Sequence, residues 1–357
     1  MKKVLIVGPL PYPVSGVSLA NLIVKQLLEN EKGFSVKEIN TSYNKFEESL
    51  GKFSIKKSIH FVLINLKAFN VFGSDIVYIT PGQTFFGVIK YTLFILIAFL
   101  TKKQLVIHIH GDYLHKEYQQ LKGVKKLFFK FLLSKASKGI VLSESLIRNM
   151  SPFIPKENIY ILKNFAEDFL MDNNIEKDYS SLKIVFLSNL MKEKGINDLL
   201  ESLEMLEKNN IQYEARIAGN IDIVNKDSVN KKINSLVNAK YLGIVSGKEK
   251  LDLLHWSNVF VLPTYYSMEG QPISIIEAMA SGNVIVTTKH AGIPDIVKNL
   301  QNGFFVEKRN PKSIYESFIN IINNVDMESM ANYNRSYFLE NFTLESFKNK
   351  LIKILNE

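Results

Sequence analysis

The chain predicts an α/β protein of two Rossmann-like, doubly wound parallel-sheet domains with a cleft between them. Its 357 residues exceed a single ordinary core. Short β-rich runs alternate with helical stretches, as right-handed βαβ units require, and the alternation starts twice. Between the two series lies residues 166–181, rich in Asp, Asn, Glu and Ser, which reads as a linker.

In the first series, Val4 to Val7 is a buried strand, residues 18–29 form a helix and residues 35–39 a second strand. Ile76 to Ile79 and Leu105 to Ile109 are further strands. The apolar run Phe85 to Leu100 lies between them, where a crossover helix is required. A bilayer span needs about 20 apolar residues, so this run reads as a buried crossover helix rather than a membrane contact. The second series has strands at Lys183 to Leu187, Glu214 to Ala218, Val259 to Leu262 and Val284 to Thr287. Residues 337–357 are helical and amphipathic, with Phe338, Phe342, Leu351 and Leu355 among their apolar positions. The expected division is 1–165 and 166–336.

Composition is that of a soluble globular protein, 46% hydrophobic and 22% charged. The absence of Cys excludes disulfides, thiol catalysis and Cys-ligated metal. Only four apolar residues follow Met1-Lys2-Lys3 before Gly8, which is no secretory core, so a cytoplasmic protein is expected. A net charge of +9 suits nucleic acid, an anionic membrane face or anionic substrates. No zinc-ligand spacing or RNA-recognition signature is present, which argues against nucleic acid. Residues 122–138 interleave six lysines with Leu127, Phe128, Phe129, Phe131, Leu132 and Leu133. Such a segment lies at an anionic lipid surface with its lysines snorkelling, or packs between neighbours; the sequence leaves both open.

The residues that carry chemistry sit at strand ends and helix starts. From Glu269 to Gly282 two carboxylates, Glu269 and Glu277, are separated by seven residues across a helix start. Pro272 suits the first helical position and Gly282 the position past the last turn. The unpaired N–H groups near Gly270, Pro272 and Ile273 would face an anion, making a seat for a diphosphate. The carboxylates would then accept hydrogen bonds from hydroxyls on either side, sugar on one and ribose on the other. In the first domain Gly8 to Ser18 links the first strand to the first helix without the three spaced glycines of a dinucleotide fold, which argues against an NAD enzyme. His108 and His110 share one face of a strand, with His110 last before the loop. Ser188 to Ile196 follows the first strand of the second domain and carries Asn189, Lys192, Lys194 and Gly195.

These residues resemble the retaining nucleotide-sugar glycosyltransferases of family 4, which have the GT-B fold. The resemblance is specific from about Lys183 to Val306 and loose across the first domain. It implies that Glu269 contacts the donor sugar and Glu277 the ribose, that His110 also meets the sugar, and that the loop at Gly16 approaches donor phosphates and acceptor. Lys194 would neutralise the leaving diphosphate. Asn189 stands where the family usually has Arg, so one expected cation is missing, with Lys192 a substitute. Gly219 and the backbone near Val245 would flank the nucleotide, and the last helix would return to the first domain. Catalysis would be electrostatic, with the nucleoside-diphosphate sugar as donor substrate and no cofactor or metal. A glycan or lipid-linked acceptor and the inner face of a membrane are the expected partners. A GT-B epimerase and a noncatalytic nucleotide-sugar-binding or membrane scaffold protein are the alternatives; the latter is disfavoured because both carboxylates are present.

Overall fold

The apolar runs of the first series assemble into one parallel sheet and those of the second into another. The structure, a computed structural model, describes residues 1–12, 15–43, 55–171, 177–221 and 226–357. Met1–Lys163, Met268–Gln271 and Phe347–Glu357 make one compact unit, and Asn164–Ser267 with Pro272–Ser346 the other. Pro13 and Val14 of the first loop, and residues 172–176 of the linker, lie outside the described residues.

The first unit runs β1 (Lys2–Gly8), α1 (Gly16–Glu29), β2 (Phe34–Asn40), α2 (Ile55–Leu66), β3 (Ile76–Ile79), α3 (Phe85–Ile89), α4 (Thr92–Leu100), β4 (Gln104–Ile109), α5 (Leu114–Gln120), α6 (Gly123–Leu133), β5 (Lys138–Val141) and β6 (Ile159–Ile161). The strands pair in parallel in the order β2-β1-β3-β4-β5-β6. Val4 to Val7 register with Ile76 to Ile79, and β3, β4 and β5 are buried along their full lengths or nearly so, which is why they read as continuous apolar runs. The crossovers from β2 to β3, β3 to β4 and β4 to β5 all step the same way along the sheet. Right-handed connections therefore put α2, α3, α4 and α6 on one face and α1, which steps back, on the other.

The second unit runs β7 (Lys183–Leu187), α7 (Ile196–Lys208), β8 (Glu214–Ala218), α8 (Lys226–Ser235), β9 (Ala239–Gly243), α9 (Gly247–Trp256), β10 (Val259–Leu262), α10 (Ile273–Ala280), β11 (Val284–Thr288), β12 (Gly303–Val306), α11 (Pro311–Asn324) and α12 (Met327–Asn341). Its order is β12-β11-β10-β7-β8-β9. A last helix, α13 (Leu344–Asn356), belongs from Phe347 onward to the first unit, where Leu355 O accepts from Lys2 Nζ at 3.3 Å.

Three elements differ from the sequence reading. The apolar run 85–100 is two helices, broken at Lys90 and Tyr91, where the buried Tyr91 hydroxyl reaches Thr41 Oγ1 at 3.1 Å and donates to Thr80 O at 3.2 Å. Residues 337–357 are the end of α12 and a separate α13. Phe342 is buried between them, and Thr343 Oγ1 accepts from Ser346 N at 3.2 Å, the bond of an N-cap. The basic segment 122–138 does not act as a unit: Lys138 opens β5, is buried, and donates from Nζ to Ile354 O at 2.5 Å. Burial pulls its ammonium below the usual lysine range.

Candidate active site

In the second sheet the strand order reverses between β7 and β10, so the helices that follow those strands go to opposite faces of the sheet and the carboxyl edge there suits a ligand. Lys194 lies on the loop after β7, partly buried, its Nζ 5.2 Å from the centre of the Tyr266 ring. That loop is tied to the loop after β10: Glu193 O accepts from Tyr265 N at 2.8 Å and from Thr264 Oγ1 at 3.3 Å. Gly195 has φ of +83°, and a Cβ there would sit 2.5 Å from Pro263 O. Only glycine allows the two loops to approach so closely.

The loop after β10 ends in α10. Pro272 is not the first helical residue but the one before it, with φ −61° and ψ 121°. Its ring sets φ while the extended ψ keeps it outside the helix, a one-residue difference typical of helix ends. Pro272 has no side-chain acceptor and Gly195 no side chain, so neither α10 nor α7 begins under a side-chain cap. The helices α1, α11 and α12, by contrast, start under Ser15, Asn310 and Asp326. Uncapped first-turn N–H groups at a sheet's carboxyl edge suit an anion.

Glu277 lies one turn into α10, only 6% exposed. The sequence reading missed its partner. Lys250 Nζ, from the first turn of α9, sits 2.6 Å from Glu277 Oε1 and 3.5 Å from Glu167 Oε2. Burial pulls the Lys250 ammonium down, but Glu277 and Glu167 together outweigh this and hold it above the ordinary lysine value. Nothing in spacing marks the pair, because the partners are 27 positions apart and on different helices. Glu167 was read as part of the linker. Val245 follows β9, partly buried, and Gly219 follows β8 with its carbonyl accepting from Tyr241 Oη at 2.8 Å. Asn189 is partly buried on the loop after β7, where its carbonyl accepts from Met191 N at 2.8 Å; Lys192, its expected substitute, is exposed.

In the first unit, His110 follows β4, its ring centre 3.9 Å from that of His108. His108 Nδ1 is 2.5 Å from the hydroxyl of Tyr78. Burial pushes His110 down to about 4 and His108 well below the usual histidine value, so both rings are neutral at pH 7. Among the described residues His110 Nε2 has no hydrogen-bond partner. The following turn is anchored by Asp112, which accepts from Arg148 Nε at 2.9 Å, and by Asn149 Nδ2 on Gly111 O at 3.2 Å. Glu269 and Gly270 belong to this unit by packing. A Cβ on Gly270 would sit 2.6 Å from His110 O, and Gln83 Nε2 donates to Met268 O at 3.3 Å. The structure thus brings His110 and the Glu269-Gly270 turn together, with Glu269 only 7% exposed. Gly16 is the exposed first residue of α1, at the end of the loop after β1.

The glycosyl transferases group 1 family model matches residues 170–337, the segment holding Asn189, Lys194, Lys250, Glu269 and Glu277. The chain is 27% identical over 264 residues to the capsular polysaccharide biosynthesis glycosyltransferase CapM of Staphylococcus aureus, covering 68% of each. The chain is a glycosyltransferase. The N,N'-diacetylbacillosaminyl-diphospho-undecaprenol alpha-1,3-N-acetylgalactosaminyltransferase of Campylobacter jejuni is 28% identical over 183 residues, half of this transferase and 43% of that protein. The crystal structure of Anabaena Alr3699/HepE in complex with UDP superposes with a TM-score of 0.76 over 99% of each chain, at 15% identity. The transferase therefore has the GT-B fold, with a six-stranded Rossmann-like sheet in each unit.

Proposed function

We propose that the transferase moves a sugar from a nucleoside-diphosphate sugar to an acceptor hydroxyl in the building of a cell-surface polysaccharide, with retention at the anomeric carbon, as a family 4 enzyme. The observation that carries this reading is the pair of loops locked together at the strand-order reversal. They hold Lys194 over Tyr266, on the loop that runs into the uncapped start of α10, and Glu277 is buried one turn inside that helix. A diphosphate seated there meets one cation and two helix starts, and its charge grows as the bond to the sugar breaks. Preorganised groups of this kind stabilise the transition state more than the ground state and call for no cofactor or metal. Glu277 would take the ribose hydroxyls, with Lys250 holding its carboxylate in place. Val245 and Gly219 would border the base. A neutral His110 and Glu269 would orient the sugar by hydrogen bonding, and the loop at Gly16 would face donor phosphate and acceptor.

Support comes from the neighbours. Alr3699/HepE is solved with UDP and with UDP and glucose, and the curated relatives are named for capsular polysaccharide biosynthesis and for transfer onto a diphospho-undecaprenol. A lipid-linked or polysaccharide acceptor, met in the cytoplasm, is the corresponding proposal here. Calorimetry with a panel of nucleoside diphosphates, followed by a hydrolysis screen of the matching nucleotide sugars, tests the donor. The anomeric configuration of the released or transferred sugar tests retention. Binding of no nucleoside diphosphate at millimolar concentration overturns the donor reading, and an inverted product overturns the mechanism.

A further inference from the structure

The first unit carries an outer surface that holds none of the residues assigned above to the donor. Of the 21 exposed large hydrophobic residues among the described residues, 12 fall between Val62 and Phe131, about a fifth of the chain. They include Phe69, Phe72, Phe86, Leu100, Leu127 and Phe131, with Leu100 75% and Leu127 70% exposed. These residues sit on the turn after α2 and on α3, α4 and α6, which the right-handed crossovers place on one face of the sheet. Each of these elements also has an inner side. Val71, Val88, Phe94 and Phe129 are buried against Val77, Ile79, Leu105 and Ile107 of the strands. The layer is therefore apolar on both sides, and only the inner side is covered by the sheet. A contiguous apolar face of this kind on a soluble chain marks an interaction surface.

Charge identifies what meets it. Lys135 Nζ lies 4.3 Å from the ring centre of Phe99 and 4.5 Å from that of Phe131, bridging α4 and α6. Lys125 lies 5.8 Å over Phe85, Lys126 lies 4.8 Å over Tyr118 and Lys90 lies 5.1 Å over Phe61. Between residues 55 and 137 the acids are Asp75, Asp112 and Glu117; Asp112 is buried and Glu117 half-buried, while Asp75 is exposed just before β3, and each has a partner. Asp75 accepts from Lys3 N at 2.8 Å, Asp112 is held by Arg148, and Glu117 accepts from Phe85 N at 2.7 Å. Apart from Asp75, the outward charges are lysines interleaved with aromatic rings. A protein partner would be expected to meet matched charge of both signs, whereas a cationic, aromatic face matches the headgroup layer of an anionic bilayer. No described helix is long and apolar enough to cross a membrane, so the fit is to a surface.

We propose that the outer side of this layer seats the transferase on an anionic lipid bilayer. Phe69, Phe72, Phe86 and Leu127 enter at headgroup level, and Lys90, Lys125, Lys126, Lys130 and Lys135 neutralise lipid phosphates. The surface is wider than the helix at 122–138 and excludes the buried Lys138. It is independent of the donor reading. Cosedimentation of the full chain with phosphatidylglycerol–phosphatidylcholine vesicles, against phosphatidylcholine alone, tests it. Binding to the anionic vesicles alone is expected, weakening as salt shortens the Debye length from about 10 Å toward 3 Å. Lys125→Gln with Lys130→Gln lowers partitioning about thirtyfold, the equivalent of ~2 kcal/mol. The variant Leu127→Ser with Phe69→Ser lowers it on both salt arms while leaving the thermal melt unchanged. Because Trp256 is the single tryptophan and lies in the second unit, Leu127→Trp adds one reporter, whose emission shifts to the blue on anionic vesicles. Glu277→Ala binds vesicles like the parent chain, so failure of the donor reading is distinguishable. Equal partitioning to both vesicle types overturns the proposal. So does concentration-dependent dimerisation that Leu127→Ser abolishes while vesicle binding stays absent, because the face is then an interface between copies.

Discussion

In the second unit α7 buries Ile196, Leu199, Leu200, Leu203 and Leu206 and turns Glu201 and Lys208 outward, while α10 is buried nearly throughout. In the first unit α4 and α6 bury one side equally well, yet leave Leu93, Phe99, Leu127 and Phe131 exposed on the other. Both helical layers cover a six-stranded parallel sheet by the same right-handed crossovers. The difference shows that topology dictates only the inner face of a helix. What the outer face presents is left to whatever the helix meets there: water in one unit, and by our proposal lipid in the other.

The largest expected effect lies at the polar site of the second unit. Lys194→Ala should lower kcat by about 10²–10³, the loss typical of one group that stabilises developing charge. It should change nucleoside diphosphate affinity much less, and a matching loss in both would reassign Lys194 to ground-state binding. Glu277→Ala should weaken nucleoside diphosphate and nucleotide sugar alike by about 1.5–3 kcal/mol, since the ribose is common to both. Unchanged affinity in calorimetry would remove Glu277 from the site. Lys250→Met should follow Glu277→Ala in direction while Lys250→Arg retains affinity. If Lys250→Met leaves affinity intact, the pair is structural only.

A smaller effect, visible on acidification, belongs to the first unit. His110, held at about 4, and His108, also lowered, bind fewer protons folded than unfolded. Between pH 6.5 and about 4 the unfolded chain takes up protons that the folded chain does not, so stability falls as pH drops through that window. Melting His110→Gln alongside the parent chain from pH 7 to 4 checks this: the variant should lose less. A parallel decline in both would place the acid sensitivity elsewhere. The smallest effect sharpens the contrast between the two outer faces. Leu127→Ser should change unfolding free energy by no more than about 0.5 kcal/mol, as surface substitutions do. Leu203→Ala on α7 should cost about 2–5 kcal/mol through its cavity. A large loss from Leu127→Ser in chemical denaturation would mean that this side chain is already covered in solution.

Much of the fold was legible because parallel strands buried on both faces must be continuous apolar runs, as Val4 to Val7 and Val259 to Leu262 are. The breaks at Tyr91 and Phe342 were not. Each depends on a side chain whose partners or burial lie elsewhere in the chain, such as Tyr91 with Thr41 and Thr80. At the candidate site Glu269, Glu277, Lys194 and His110 were readable from strand ends and helix starts, where local chemistry repeats in sequence. Lys250 was not, because an ion pair between residues 27 positions apart leaves no local pattern. The lysines of the first unit were visible as composition, yet which of them face outward was not. Lys138 looked like its neighbours until β5 carried it under Ile354. By itself the sequence determined the two sheets, a helix start to within one residue of Pro272 and the carboxylates around it, because period, proline and glycine act within a few residues. Only the tertiary structure decided which charge meets which and which apolar side chain stays uncovered, because pairing and burial depend on distance in space, and distance along the chain carries no record of it.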